Sequence, residues 1–217
     1  MSLGLSLHEW DGFSVLKIRE DRMGLYVNSD MIEFIEGVDL KDKNVIDGGS
    51  NIGLFSLYIS RRIGNGFVYA FELQEVINGI CENNVELNNV NNVLCHHLAI
   101  SEKTGELVGH TPINYYEENI SSVGVKTEAT GVHTTRTIAL DDFGIENIGL
   151  IKLDLEGHEP KALKGMWSII DKWKPCLIIE LSDGYLGDDV QKIVDEIKSH
   201  GYTVKKLSDC NYVFQPI

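Results

Sequence analysis

Two short stretches carry the residue types from which a reaction centre is built. The first, Asp47 to Gly53, reads DGGSNIG, directly after Val45-Ile46 and directly before LFSLYIS. Glycines between a strand-like run and a helix-like run mark a backbone turn that approaches a ligand closely. The second, IKLDLEG, sets Lys152, Asp154 and Glu156 two residues apart. On a strand these three side chains share one face, opposite Ile151, Leu153 and Leu155. Central parallel strands are apolar on both faces, so three charges there require a cause. The cause read from the sequence is a cleft at the strand's C-terminal end, the edge at which open α/β sheets bind ligands.

The acid of the turn selects its ligand. A dinucleotide fingerprint registered on Gly48 and Gly53 needs glycine at Ser50, the position that admits a pyrophosphate. Asp47, at the end of its strand, would repel a pyrophosphate and attract an ammonium group. S-adenosylmethionine, with an ammonium, a sulfonium, a ribose and an adenine, fits such a site. A second acid at the end of the next strand, Glu72 in YAFEL, is placed to take the ribose hydroxyls, as the acid of dinucleotide folds does.

Methyl transfer from sulfonium to oxygen is an in-line displacement that needs an aligned hydroxyl and a proton acceptor. Alignment is worth about 7 to 11 kcal/mol at best, and a positioned base about 100- to 10,000-fold. Asp154, Glu156, or a Lys152 of depressed pKa are the candidate bases; an ion pair of Lys152 with either acid that only organises the loop is the alternative. Asp154 and Glu180 in LIIEL, at the ends of neighbouring strands, form a candidate magnesium site, because that hard cation accepts a few carboxylates and keeps several waters. Hydrogen bonding of Glu180 to loop backbone is the alternative there. His158, at a predicted helix start, and His110 and His133 are further candidate bases.

From Asn44 onward, β-branched runs alternate with helix-like stretches, the pattern of a parallel sheet covered on both faces. The predicted strands are NVIDG, FVYAFEL, NVLCHHLAI, GLIKLDLE and PCLIIEL. Helices are predicted over LFSLYISRRI, EVINGICENNVELNN and EPKALKGMWSIIDKW, the last ending before Pro175. DDVQKIVDEIKSHGY reads as a helix stopped by Gly201, and TVKKLSD with NYVFQPI as an antiparallel hairpin. Before the core, FSVLKIRE and GLYV predict a hairpin and DMIEFIEG a short helix, while MSLGLS carries no functional weight. Residues 105 to 137 break the alternation, and a connection that long is more often functional than idle.

With 217 residues, 43% hydrophobic and 24% charged, the chain is expected to form one soluble domain: an extension over 1–43 and a core over 44–217. No run approaches the ~18 to 20 apolar residues of a membrane span, and no basic region precedes an apolar one at the N-terminus, which predicts a cytoplasmic protein. A net charge of -14, from 19 basic and 33 acidic residues, argues against sequence-independent nucleic-acid binding. Cys81, Cys95, Cys176 and Cys210 lie far apart without a C-x-x-C pair and are read as buried small hydrophobes rather than zinc ligands or disulfides. A homo-oligomer stays open.

In order, IDGGSNIG, YAFEL, IALDDF and LIKLDLEGHEPKALKG, within residues 46 to 165, resemble the FkbM family of S-adenosylmethionine-dependent methyltransferases. That family's pattern runs hDhGANhG, hhAFEP, TLDDh and hhKhDhEGhE..hLKG, where h is apolar. Leu73 replaces the usual proline and Ser50 the usual alanine. The resemblance implies a doubly wound Rossmann-like methyltransferase sheet, mostly parallel, with a C-terminal antiparallel hairpin strand. It implies that Asp47, Gly49, Asn51 and Gly53 line the methionine moiety, that Glu72 binds the ribose, and that Ala99 and Ile100 lie beside the adenine. The implied activity is O-methylation of a hydroxyl on a small molecule or sugar, in a pocket walled by 105–137 with Tyr115, Tyr116, Ser121 and Ser122. Two other classes compete. A non-catalytic S-adenosylmethionine-binding module is disfavoured by Asp154 and Glu156, and an NAD-dependent oxidoreductase by Asp47 and Ser50.

Overall fold

The structure, a computed structural model, describes residues 5–18, 27, 29–110, 125–126, 133–208 and 210–217. The chain opens with β1 (Leu5–Trp10), β2 (Phe13–Ile18) and α1 (Ser29–Glu36). It continues through β3 (Asn44–Gly48), α2 (Leu54–Ser60), β4 (Val68–Glu72), α3 (Glu75–Leu87) and β5 (Val93–His97). Four strands of a smaller sheet involve β6 (Ala99–Ile100), β7 (Leu107–His110), β8 (Val125–Lys126) and β9 (His133–Ile138). After a 3-10 turn at Leu140–Asp142 come β10 (Ile148–Leu153), α4 (Glu159–Lys164), α5 (Trp167–Trp173), β11 (Cys176–Glu180), α6 (Asp183–Leu186), α7 (Asp189–Ser199), β12 (Tyr202–Lys206) and β13 (Asn211–Pro216).

The main sheet has the order β12-β13-β11-β10-β3-β4-β5. Its β11, β10, β3, β4 and β5 run parallel, and β12 and β13 add an antiparallel hairpin. This is a doubly wound Rossmann-like sheet, and its side chains sort by the period of two that strands impose. Ile46, Phe71, Ile151, Leu153, Leu177, Ile179 and Phe214 join the core that includes residues of α4, α5 and α7. Their neighbours Val45, Val68, Ala70, Leu150, Ile178 and Val213 join the core that includes residues of α1 and α2. Among the described residues, no helix is long and apolar enough to cross a membrane.

Three local expectations are revised, and FSVLKI gains a partner. The strand FSVLKI pairs with β1, register Trp10↔Phe13 to Leu5↔Ile18. Asp11 and Gly12 both have positive φ, 47° and 72°, the geometry that an Asp-Gly pair supplies between hairpin strands; of GLYV, residues 24–26 lie outside the described residues. The run NVLCHHLAI is two strands, because Ala99 and Ile100 leave the main sheet to pair with Thr137 and Ile138 of β9. Parts of 105–137 are regular, since β7, β8 and β9 complete a sheet of order β6-β9-β7-β8. Tyr115, Tyr116, Ser121 and Ser122 lie outside the described residues.

The predicted helix over 159–173 is broken at Gly165. A Cβ there would lie 2.1 Å from the Ser101 carbonyl oxygen, so only glycine allows that approach, and the Gly165 carbonyl accepts from the Asp141 N–H at 2.9 Å. The new helix start needs partners for its first N–H groups, and Asp141 supplies them from another segment. Its carboxylate accepts from Ser168 N–H at 3.2 Å and Ile169 N–H at 3.0 Å. Loss of such a cap costs about 1 to 2 kcal/mol. Asp141→Ala is therefore expected to lower the thermal midpoint by several degrees in a melt followed by circular dichroism, with Asp141→Asn closer to the parent.

Candidate active site

The glycine turn is built by close approach. Gly49, Asn51 and Gly53 have φ of 73°, 50° and 88°, in the left-handed region that glycine, and secondarily asparagine, tolerates. A Cβ on Gly49 would sit 1.9 Å from the Asp154 carbonyl oxygen, and one on Gly53 2.6 Å from Cys81 Sγ. The N–H groups of Gly49 and Ser50 donate to the Phe71 carbonyl at 2.9 and 3.0 Å, which fixes the turn against β4.

Beneath it lies a buried ion pair. Lys152 and Asp47 are register partners on adjacent parallel strands, so both side chains project from the same face, toward α2. Lys152 Nζ stands 3.5 Å from Asp47 Oδ1 and 3.5 Å from Asp154 Oδ2, and 3.4 Å from the Gly49 carbonyl oxygen. The other Asp47 oxygen accepts from Ser56 Oγ at 2.6 Å. Asp47 is 0% exposed, so its carboxylate faces Lys152 and Ser56 rather than open solvent. Burial disfavours the Lys152 ammonium, but Asp154 and Asp47 outweigh it and raise its pKa above the ordinary lysine value. The expectation of a Lys152 with depressed pKa is thus corrected: flanked by two carboxylates, it keeps its proton.

Glu72 ties the turn to the next loop. Its Oε2 accepts from Asn51 N–H at 3.0 Å and its Oε1 from Gln74 N–H at 2.9 Å. Burial raises its pKa to about 7 against the pull of these two bonds. The following Leu73 carbonyl is gripped from both sheets: Thr135 Oγ1 of β9 donates to it at 2.7 Å, and His97 Nε2 of β5 lies 3.0 Å away. His110 Nε2 is 3.3 Å from the same hydroxyl, so two of the candidate-base segments, β7 and β9, are moored beside Glu72. Ala99 and Ile100 are buried at 4% and 2%, with Ile100 against Gly48.

Strand β10 ends at Leu153, so Asp154 and Glu156 project from the turn that follows it, where Glu156 and Gly157 have φ of 53° and 94°. The carboxylate oxygens of Asp154, Glu156 and Glu180 nevertheless converge to within 4.8 Å of one another. The hydrogen bond with Asp154, then burial, raises the Glu180 pKa to about 8. Burial acts upward on Asp154 too, but Lys152 and the bond with Glu180 bring it below the ordinary range. The pair thus shares one proton, held on Glu180 and donated to Asp154, because two adjacent carboxylates resist ionising together. Cys210 Sγ donates to Glu180 Oε1 at 3.0 Å. Burial raises Glu156, whose carboxylate hydrogen-bonds Tyr185 of α6.

His158 stands at the start of α4, as expected, but is buried and bonded to Ser101 Oγ at 3.0 Å. Burial drops its pKa to about 4, so it is a neutral strut rather than an exposed base. Three contributors were not singled out from sequence. Ser56 was readable as the first polar residue of the buried run LFSLYIS. Glu159, 1% exposed, accepts from Leu155 N–H at 2.7 Å and holds the turn that carries Asp154 and Glu156; its signal was the second acid of EGHE. Cys81 had no sequence signal.

The architecture is that of S-adenosylmethionine-dependent methyltransferases. A crystal structure of an FkbM methyltransferase from Methylobacillus flagellatus KT superposes with TM-score 0.58 at 20% identity, over 82% of this chain and 45% of that one, so the chain spans under half of its length. A SAM-dependent methyltransferase from Aquifex aeolicus superposes with TM-score 0.54 at 15% identity, over 90% and 93% of the two chains. The methyltransferase FkbM domain matches residues 47–204, and the chain belongs to that family. Methyltransferase 1 of Beauveria bassiana is 25% identical over 194 residues, covering 76% of this chain and 75% of its own. Hexuronic acid methyltransferase AglP of Haloferax volcanii is 26% identical over 179 residues, covering 80% and 70%.

Two predictions follow the electrostatics of the site. Removing one member of a buried pair strands the other charge, at a cost of about 3 to 5 kcal/mol. Lys152→Met should lower the urea midpoint accordingly, and adding Asp47→Asn should recover most of the loss. Glu72 and Glu159, both pushed to about 7 chiefly by burial, and Glu180 at about 8, all stand above their ordinary 4.5. The stability they contribute is complete below that value and is lost as the pH rises through 7 and 8. Unfolding free energy should fall as the pH rises from about 4.5 to about 8 and level off above that, with Glu180→Gln flattening the slope.

Proposed function

We propose that the chain is an O-methyltransferase that moves the methyl group of S-adenosylmethionine to a hydroxyl of a sugar or other small molecule. The observation that carries this reading is the juxtaposition, at the C-terminal ends of β3, β4, β10 and β11, of a left-handed glycine turn and three converging carboxylates. In this reading Gly49, Asn51 and Gly53 receive the methionine moiety, Glu72 the ribose and Ala99 the adenine side. Asp47 acts through Lys152 and Ser56 as a positioning residue for the turn rather than by direct contact with the ammonium. S-adenosylmethionine, when bound, supplies an electrophilic methyl group.

Asp154 and Glu156 face the acceptor. An ionised Asp154, kept so by Lys152, is a proton acceptor at neutral pH, and Glu180 tunes it through their shared proton. That AglP is a hexuronic acid methyltransferase supports a sugar as the acceptor class. Strands β7 and β9, anchored beside Glu72 through His110 and Thr135, border the acceptor in this reading.

A second reading adds a divalent cation such as magnesium at Asp154 and Glu180, with Glu156 as the third carboxylate. Its support is the convergence of these hard oxygen donors, which suits that metal. The cation and the Glu180 proton compete for the same oxygens.

Both readings are tested by following S-adenosylhomocysteine formation over a panel of sugar hydroxyl acceptors, with magnesium or with a chelator. Asp154→Asn is expected to lower kcat by about 100- to 10,000-fold while leaving donor affinity within a few fold. Full turnover by that variant would remove Asp154 from the chemistry. Turnover indifferent to chelator would remove the metal.

A further inference from the structure

Directly under the glycine turn, two cysteines distant in sequence meet. Cys81 of α3 and Cys95 of β5 have their sulfur atoms 3.3 Å apart. A disulfide needs about 2.0 Å, so the two sulfurs are separated from a bond by a shift of about 1.3 Å shared between two side chains. Cys81 is fully buried, whereas Cys95 is partly exposed. The exposure has a topological cause, since β5 is the edge strand of the main sheet and Cys95 lies on its unpaired margin. The pair therefore combines a fully buried thiol with one on a partly exposed residue of the edge strand.

The inner sulfur also supports the turn. A Cβ placed on Gly53 would lie 2.6 Å from Cys81 Sγ, so the backbone at the start of α2 rests on that atom. Drawing the sulfur toward Cys95 withdraws this support at the left-handed residue, φ 88°, that caps the start of α2. The hydrogen bond with Cys95, then burial, raises the Cys81 pKa well above the ordinary thiol value, which fits Cys81 as the S–H donor of the pair and Cys95 as the sulfur that meets the oxidant.

We infer that Cys81 and Cys95 form a reversible disulfide under oxidation by a peroxide, and that this bond weakens donor binding at the turn above it. The Cys95 thiol loses its proton and its sulfur attacks hydrogen peroxide; the O–O bond breaks, leaving a sulfenic acid and, with that proton, one water. The Cys81 sulfur then displaces the sulfenic oxygen, which leaves with the Cys81 proton as a second water. Two thiols are oxidised by two electrons and one peroxide is reduced. A dithiol reductant reverses the bond by exchange. The disulfide itself stands apart from the donor assignment; its effect on binding rests on that assignment.

The full chain is treated with hydrogen peroxide, then digested without reductant and mapped by mass spectrometry. In parallel, S-adenosylhomocysteine affinity is titrated before oxidation, after it, and after dithiothreitol. The expected result is a cross-linked peptide joining Cys81 and Cys95 that is two hydrogens lighter than the reduced pair, with affinity reduced fivefold or more and restored by the reductant. Cys95→Ala, which leaves Cys81 against Gly53, should bind normally and ignore peroxide. Absence of the cross-link overturns the inference, as does a cross-linked protein of unchanged affinity or an equal peroxide loss in Cys95→Ala. A reduced protein that binds no S-adenosylhomocysteine overturns the donor assignment and the switch together, while the peptide map still decides the disulfide.

Discussion

A single buried ammonium joins the segments on which the candidate site depends. Lys152 reaches Asp47 at the end of β3, the carbonyl of Gly49 within the turn, and Asp154 beyond β10, each at 3.4 to 3.5 Å. A lysine in that position is costly to desolvate, and only the two carboxylates make it tolerable. Its cost is offset by register: on adjacent parallel strands Asp47 and Lys152 are direct partners, so the pair forms without distortion of the sheet. The same ammonium sets the charge of Asp154 and fixes the loop that Gly49 must approach. The glycine turn and the acids beyond β10 are therefore parts of one electrostatic unit.

Around that unit, buried carboxylates replace the backbone partners that irregular chain would otherwise lack. Glu72 satisfies N–H groups on two loops, and Glu159 satisfies the turn behind Asp154. Each carries a raised pKa because it is buried to do so, which places several acids near neutrality at the C-terminal edge of the sheet. Perturbed titrating groups concentrated at that edge are what a proton-handling site requires. The acidic cluster at Asp154, Glu156 and Glu180 extends the pattern to the acceptor side of the proposed reaction.

The sheet was legible because its strands obey a period of two and its helices are separated by glycine and proline. NVIDG was bounded as the structure has it, and the alternation from Asn44 onward marked a parallel sheet covered by helices on both faces. Neighbouring strand ends at Asp154 and Glu180 were likewise readable, and the two acids do meet. What escaped reading depended on contacts between distant segments. The break at Gly165 follows from the approach of Ser101, the inward turn of Asp47 from Lys152 and Ser56, and the cysteine contact from the packing of α3 on β5. The β1 partner of β2 was signalled by Asp11-Gly12, the turn pair between them.

The central claim is that the turn above Lys152 receives a cationic amino-acid donor rather than a pyrophosphate. Isothermal titration of the reduced, full-length protein with S-adenosylhomocysteine and with NADH separates the two most directly. The account predicts saturable binding of S-adenosylhomocysteine at one site per chain and none of NADH. Binding of NADH without S-adenosylhomocysteine would contradict it.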